Sequence, residues 1–335
     1  MTKLKLGIAG LGRIGKIHLD NLFQIPNVEV VAVSDPDKDC LQYAKDKGVP
    51  YTIDTFEEML SSTQIDAVLI CSPTDTHADY VEMSAKSGKQ IFCEKPLDLS
   101  LIRVLEVLKV VEDAGVRLMI GFNRRFDKEF QKVRELVKNE AVGIPHLVKI
   151  TSRDPGAPPL SYIKKSGGLF LDMTIHDFDM ARYIVGKEVQ EVYAKGAVLV
   201  DPKIGKAGDI DTAVVTLTYF DGTMAIIDNS REASYGYDQR IEVFGSKGMV
   251  QSNNNFHDSH KLYNKHGIHA ALPLHFFLER YQEAYKAEML DFIKSLENGT
   301  MMPVDGNDGL QSLKIGLAAL KSLKEKRPVK IKEFN

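Results

Sequence analysis

Residues 165–182, KSGGLFLDMTIHDFDMAR, set Asp172 and His176 four positions apart. In an α-helix that spacing stacks both side chains on one face. A carboxylate beside an imidazole orients a general base and tunes its pKa towards neutrality. Two other stretches hold residues of the same kind of use: GLGRIG at 10–15, and FCEKPLD at 92–98, where Lys95 precedes Pro96. An ammonium group at the end of a strand can hydrogen-bond a reacting oxygen and lower an alcohol's effective pKa. The combination suggests proton removal from an alcohol while a dinucleotide takes the hydride. The competing readings of Asp172 and His176 are a helix-surface ion pair and a metal centre completed by Asp177 and Asp179. Neighbouring helical residues diverge by about 100°, so Asp177 cannot share a face with His176. No second histidine follows at i+4, and no metal is expected.

These residues need elements to carry them. Apolar runs at 4–9, 28–35, 65–72, 90–94 and 116–122 read as strands, and 15–25, 38–47, 55–61, 76–87 and 100–114 as helices between them. Short apolar strands alternating with helices predict a parallel, doubly wound sheet covered on both faces, a Rossmann-type domain over residues 1–122. After a helix near 127–139 the pattern turns β-rich, at 146–153, 189–200, 212–220, 223–230, 239–245 and 248–252. Asp221-Gly222 and Gly245-Ser246-Lys247-Gly248 are hairpin signals. The fold class is therefore α/β, with a second α/β domain over 123–306 built on an open, mainly antiparallel sheet. One face of that sheet should take the helix with Asp172 and His176, and a partner subunit is the economical cover for the other. Residues 253–272 read as a loop or irregular strand, and 275–297 and 307–324 as helices. One or both of these two helices, the last above all, are expected to pack back on the first domain.

In the glycine loop, Gly10 permits the tight turn, Gly12 lets backbone approach a pyrophosphate, and Gly15 allows close helix–strand packing. Arg13 and Ile14 complete the loop, and the helix N-terminus offers amide donors to phosphate. Asp35 stands 20 residues past Gly15 at a strand end, placed to accept hydrogen bonds from an adenosine ribose. A carboxylate there repels a 2′-phosphate, so NAD is the expected cofactor rather than NADP. Ser72, Thr74 and His77 follow the third strand at the carboxyl edge of the sheet, with Glu94 and Lys95 at the end of the fourth, and all join the expected cofactor set. Thr76 also reads as a helix N-cap.

The composition narrows the field. The 335 residues carry 43 basic and 46 acidic side chains for a net charge of −3, without the basic stripe of a nucleic-acid binder. No apolar run approaches the roughly 18 residues of a membrane span, and the chain enters its first strand without a signal-peptide core, so a cytoplasmic protein is expected. Cys40, Cys71 and Cys93 lack metal or disulfide spacing and read as packed thiols.

Taken together, GLGRIGKIH (10–18), SPTDTH (72–77), CEKP (93–96), GFNRRFD (121–127), TSRDP (151–155), SGGLFLDMTIHDFDMAR (166–182), AGDIDTA (207–213), IDNSREASYGYDQR (227–240) and FFLERY (276–281) resemble the glucose–fructose oxidoreductase/inositol dehydrogenase/MocA family. The resemblance runs over essentially the whole chain and is strongest to the family's inositol-oxidising branch. It implies a catalytic triad of Lys95, Asp172 and His176. His176 would take the hydroxyl proton, Asp172 would orient it and contact a substrate hydroxyl, and Lys95 would link substrate and cofactor. It further implies NAD-dependent oxidation of a cyclitol, with myo-inositol to the 2-keto product first and scyllo-inositol or another sugar as the alternative, in a homotetramer. A non-catalytic dinucleotide sensor is the rival from another class. A polyol needs several donors and acceptors. Asn123, Arg124, Arg153, Asp154 and Tyr235 are the candidates beside the triad. Arg125 with Asp127 reads as a local ion pair, and Tyr237 as core.

Overall fold

The computed structural model describes residues 3–61 and 64–334. They form two compact units, one of residues 1–123 with 283–311, the other of 124–282 with the chain from Ser312 onward.

The first unit alternates β1 (Leu4–Ala9), α1 (Arg13–Leu22), β2 (Val28–Ser34), α2 (Lys38–Asp46), β3 (Tyr51–Ile53), α3 (Phe56–Leu60), β4 (Ala67–Ile70), α4 (Thr74–Lys86), β5 (Gln90–Glu94), α5 (Leu101–Ala114) and β6 (Leu118–Gly121). All pairings are parallel, in the order β3-β2-β1-β4-β5-β6. β4 and β6 are buried at every residue because helices cover both faces. β3, three residues at the sheet edge, escaped the sequence reading for want of an apolar run. The order reverses between β1 and β4, the topological switch point where such sheets bind ligands. The loops after these two strands touch there. A Cβ on Gly10, whose φ is +85°, would lie 2.6 Å from the Ser72 backbone.

Residues 283–306, expected in the second domain, belong to the first unit. The helix Gln282–Asn298 brings Phe292 edge-on to Phe92 (5.7 Å between centroids) and Tyr285 edge-on to His18. The first turns of the helix Gly306–Glu325 pack back on the first unit as expected, Gly306 against Leu108 and Gly309 against Ile120, while from Ser312 the helix belongs to the second unit. Gly316 packs there against Leu171, and the Ser322 hydroxyl accepts from the Ala194 amide at 3.0 Å.

The second unit holds α6 (Lys128–Lys138), β7 (Pro145–Arg153), α7 (Leu160–Ile163), α8 (Ile175–Val185), β8 (Val189–Ala197), β9 (Thr212–Tyr219), β10 (Met224–Ser230), β11 (Asp238–Gly245), β12 (Gly248–Ser252), β13 (Lys261–Asn264), β14 (Gly267–Ala270) and β15 (Val329–Lys330). Seven strands make one sheet in the order β12-β11-β7-β10-β9-β8-β15, antiparallel except where β7 meets β10. β13 and β14 form a separate exposed hairpin where a loop or irregular strand was expected. Burial alternates along β9 and β10, as period-2 side chains require. The outward face carries Val214, Met224 and Phe244, each about half exposed. The inward face meets α8, whose Asp177, Asp179 and Arg182 are buried and each paired with an opposite charge. Arg124 binds Asp177 at 2.6 Å, Arg125 forms a two-bond fork with Asp179, and Arg182 forms one with Glu188. Arg125 therefore pairs across to α8 and not with Asp127, which caps α6 and pairs with Arg280.

The glycine loop yields a stability prediction. A Cβ on Gly15 would lie 2.1 Å from the Gly10 carbonyl oxygen, whereas one on Gly12 would meet nothing within 4 Å. Gly15→Ala should cost about 3 kcal/mol, as overpacking does, and Gly12→Ala should melt like the parent. Urea unfolding of both variants checks this, and equal midpoints would remove the packing argument for Gly15.

Candidate active site

In the first unit, Gly12 is the extended residue before α1, whose first-turn amides have no side-chain cap. Arg13 is exposed and Ile14 half-buried in that turn. The buried Asp35 carboxylate accepts from the Leu11 amide at 2.6 Å and the Asp37 amide at 2.8 Å, so its orientation is set by the glycine loop itself. A loop open on the Gly12 side, uncapped amides and a fixed carboxylate after β2 fit a dinucleotide with a free ribose diol.

Ser72 and Thr76 share a hydroxyl hydrogen bond of 2.6 Å, and Thr76 Oγ1 donates to the Pro73 carbonyl. α4 begins at Thr74, so Thr76 lies inside its first turn and is not the N-cap. His77 departs from its expected place beside the cofactor. It is 2% exposed, and its two ring nitrogens face backbone carbonyls, Nδ1 that of Pro96 and Nε2 that of Ser72, each at 2.8 Å. Burial lowers its pKa against the pull of both carbonyls. Lys95 is half-buried and precedes a cis peptide bond to Pro96. Glu94 turns instead to the interior, 2.9 Å from His18 Nε2. Glu288 completes this group, with ligand-type atoms of all three residues within 4.8 Å of one another, and both of its buried carboxyl oxygens lack a hydrogen-bond partner. Burial, and then the charge of Glu94, push its carboxyl well above the usual range, which favours the protonated form. Burial likewise pushes the Cys93 thiol up, away from reactivity.

In the second unit the local structure of the Asp172 segment differs from the expected helix. Leu169–Met173 is a single π-helical turn, closed by Thr174 N–H on the Leu169 carbonyl, and α8 starts only at Ile175. The four-residue stacking argument does not carry across that turn, a feature often found at functional sites. Two tethers fix it. Asp209 accepts from the Leu169 amide at 3.1 Å and packs where a Cβ on Gly168 would sit, and Thr174 Oγ1 donates to Asn229 Oδ1 at 2.7 Å. Asp172 Oδ1 accepts from the Tyr162 hydroxyl at 2.9 Å, and Oδ2 from Arg231 at 3.1 Å. Arg231 also reaches Asp154 at 3.5 Å, so one buried guanidinium serves two carboxylates. Burial pushes the Asp154 carboxyl up to about 6, the cation of Arg231 opposing it. His176 is the one residue from Leu169 to Arg182 that is not buried.

The other expected substrate residues fall elsewhere. Arg124 is committed inside the unit to Asp177, with Ser152 and Tyr237 as weaker partners at 3.4 Å, and Tyr237 is core as read. Arg153 alternates with the inward Ser152 and so points to the opposite face of the sheet. There it binds Asp228 and the Tyr235 hydroxyl (3.1 Å), and Tyr235 donates in turn to Asp238. Asn123 is buried at the head of a 3-10 turn, Asn123–Phe126. Sequence reasoning passed over Tyr162, Asp209 and Arg231. The GG before Leu169 and the arginine beside Ser230 were the available signals, but nothing local says that they meet Asp172.

Comparison with known proteins identifies the family of both units. Residues 4–122 match the description "Oxidoreductase family, NAD-binding Rossmann fold", and residues 130–251 the "GFO/IDH/MocA C-terminal domain". The chain is similar to a myo-inositol 2-dehydrogenase of Thermotoga maritima, 51% identical over 98% of this chain and 99% of the relative. It is also similar to an inositol 2-dehydrogenase of Rhizobium meliloti, 47% identical over 98% and 99% of the two chains. A solved scyllo-inositol dehydrogenase from Lactobacillus casei, with bound NAD(H) and scyllo-inositol, superposes with a TM-score of 0.93 at 33% identity, covering 99% of this chain and 100% of its own.

Glu288 supplies a prediction that is independent of activity. Its folded carboxyl titrates above the unfolded value of about 4.3, so the folded state holds the extra proton and stability falls as pH rises past that value. Glu288→Gln should remove this part of the slope and leave the variant more stable than the parent at pH 8, while the two converge near pH 4. Urea midpoints across that range measure it. A variant less stable at pH 8 would mean that the carboxylate form is the one the fold uses.

Proposed function

We propose that this chain, which belongs to the GFO/IDH/MocA family of oxidoreductases, oxidises one secondary hydroxyl of a cyclitol with NAD, most favourably myo-inositol to its 2-keto product. The observation that carries the reading is the placement of His176, the single half-buried residue of an otherwise buried stretch from Leu169 to Arg182, four residues after an Asp172 fixed by Tyr162 and Arg231.

Gly10, Gly12, Arg13, Ile14, Gly15 and Asp35 hold the dinucleotide, with Ser72 and Thr74 beside it, and NAD when bound supplies the hydride acceptor. His176 removes the hydroxyl proton as general base, and Asp172 stabilises the imidazolium that results. Lys95 donates a hydrogen bond to the same oxygen and lowers the cost of its alkoxide character. Asp172 and Asp154 accept from neighbouring ring hydroxyls, and a site built of such acceptors rejects rings with misplaced hydroxyls. The scyllo-inositol relative keeps scyllo-inositol as the second reading. The apolar outward face of the seven-stranded sheet supports a homo-oligomer, with a tetramer as the expected size. Three free cysteines support a reducing, cytoplasmic setting. No helix among the described residues is long and apolar enough to cross a membrane.

Initial rates of NADH formation with myo-inositol, scyllo-inositol and glucose test the substrate. Myo-inositol should be fastest, and turnover of glucose alone would overturn the cyclitol reading. His176→Ala should lower kcat by about 10²- to 10⁴-fold, the worth of a general base, with NAD affinity intact. Equal loss of both would move His176 to the cofactor. Asp35→Ala should narrow the preference for NAD over NADP in the same assay, and an unchanged ratio would assign the ribose to another residue.

A further inference from the structure

His77 stands in the first turn of α4, yet its ring serves neither that helix nor solvent. Nε2 sits 2.8 Å from the carbonyl of Ser72, two residues past β4, and Nδ1 sits 2.8 Å from the carbonyl of Pro96, two residues past β5. The two loops it joins differ in content. The Ser72 loop is in backbone contact with the glycine loop at Gly10, and the other loop carries Lys95. One imidazole thus links the loop that abuts the dinucleotide fingerprint to the carbonyl of Pro96, the residue that follows Lys95.

We propose that His77 is a positioning residue for the reaction, clamping the Pro96 carbonyl to the Ser72 carbonyl and so fixing where the Lys95 ammonium stands relative to the glycine loop. This rests on the reading that Lys95 bonds the reacting oxygen. The ring is suited to the task because its two nitrogens sit on a rigid frame and face opposite ways, each toward its own loop; both donate in the imidazolium form, which the two carbonyls favour against burial, and one donates in the neutral form. Asparagine or glutamine carries both of its N–H groups on a single nitrogen and does not span the two loops. Burial keeps water from substituting for the ring. A displacement of about 1 Å at a positioned group costs roughly 10²-fold in rate, so a clamp remote from the reacting atoms still governs turnover.

The test is a double-mutant cycle on the full-length protein, with His77→Ala, Lys95→Ala and the two combined. His77→Ala should lower kcat by about 10- to 100-fold and leave NAD affinity, read by titration calorimetry, essentially unchanged. In the Lys95→Ala background the same substitution should cost almost nothing further, because its effect passes through the lysine. Added imidazole should restore part of the lost rate to His77→Ala, and His77→Asn should recover less than the parent. Losses that multiply in the double variant would overturn the proposal, as would NAD affinity falling in step with kcat.

A second measurement needs no turnover. With NAD present, the rate of Lys95 acetylation by acetic anhydride, read by mass spectrometry against the exposed Lys138, should change in His77→Ala. An unchanged rate would overturn the clamp. A changed rate in a protein that oxidises no cyclitol would uphold the clamp and sink only the proposed function.

Discussion

The pairing of Arg124 with Asp177 is the constraint on which the second unit depends. Both groups are out of water, and a buried pair of this kind is held in place by what happens when it is broken, since an uncompensated interior charge costs about 3–5 kcal/mol. Asp177 takes a second bond from Asn229 on β10, and Arg124 touches Ser152 on β7 and Tyr237. One ion pair thereby registers α8 against two adjacent strands. Asn229 also accepts from Thr174, so the register passes directly to the π turn and to Asp172. The Asp172 carboxylate is thus positioned by way of a second, fully buried one.

The first unit is organised by close approach where the second relies on charge. Gly10 and Gly15 are required because backbone atoms occupy the space of their side chains, and Gly12 because its side must stay open. Asp35 then returns from β2 to accept from the Leu11 amide, so the loop and this carboxylate form one rigid piece. Sterics fix the glycine turn and hydrogen bonds fix the carboxylate after it, and neither relies on a surface ion pair of marginal worth.

Much of this was legible in the residues. Alternating apolar runs marked five of the six parallel strands, and GLGRIG followed by Asp35 marked the fingerprint. What stayed hidden was the partner of each charge. Arg124, Arg153 and Tyr235 look like substrate groups because a polar residue in a motif shows its chemistry but not its face. Arg153 follows Ser152 by one position, and in a strand one position exchanges the interior for the opposite surface. Asp172 and His176 read as one α-helical face because i→i+5 hydrogen bonding has no local signature. The last helix read as a cover for the first domain along its whole length, whereas only its first turns are, because a leucine stripe records burial without an address.

The sharing of Arg231 between Asp154 and Asp172 bears on selectivity. Asp154 and Asp172 share this cation when both are ionised, and burial weakens the water that would otherwise screen their charge. Under the proposed function, a neutral polyol would settle its hydroxyls against those oxygens without penalty, whereas a sugar acid of the same outline would bring a further like charge into a poorly screened space. The sharing of Arg231 would then make the cluster a filter for charge before it is a filter for stereochemistry.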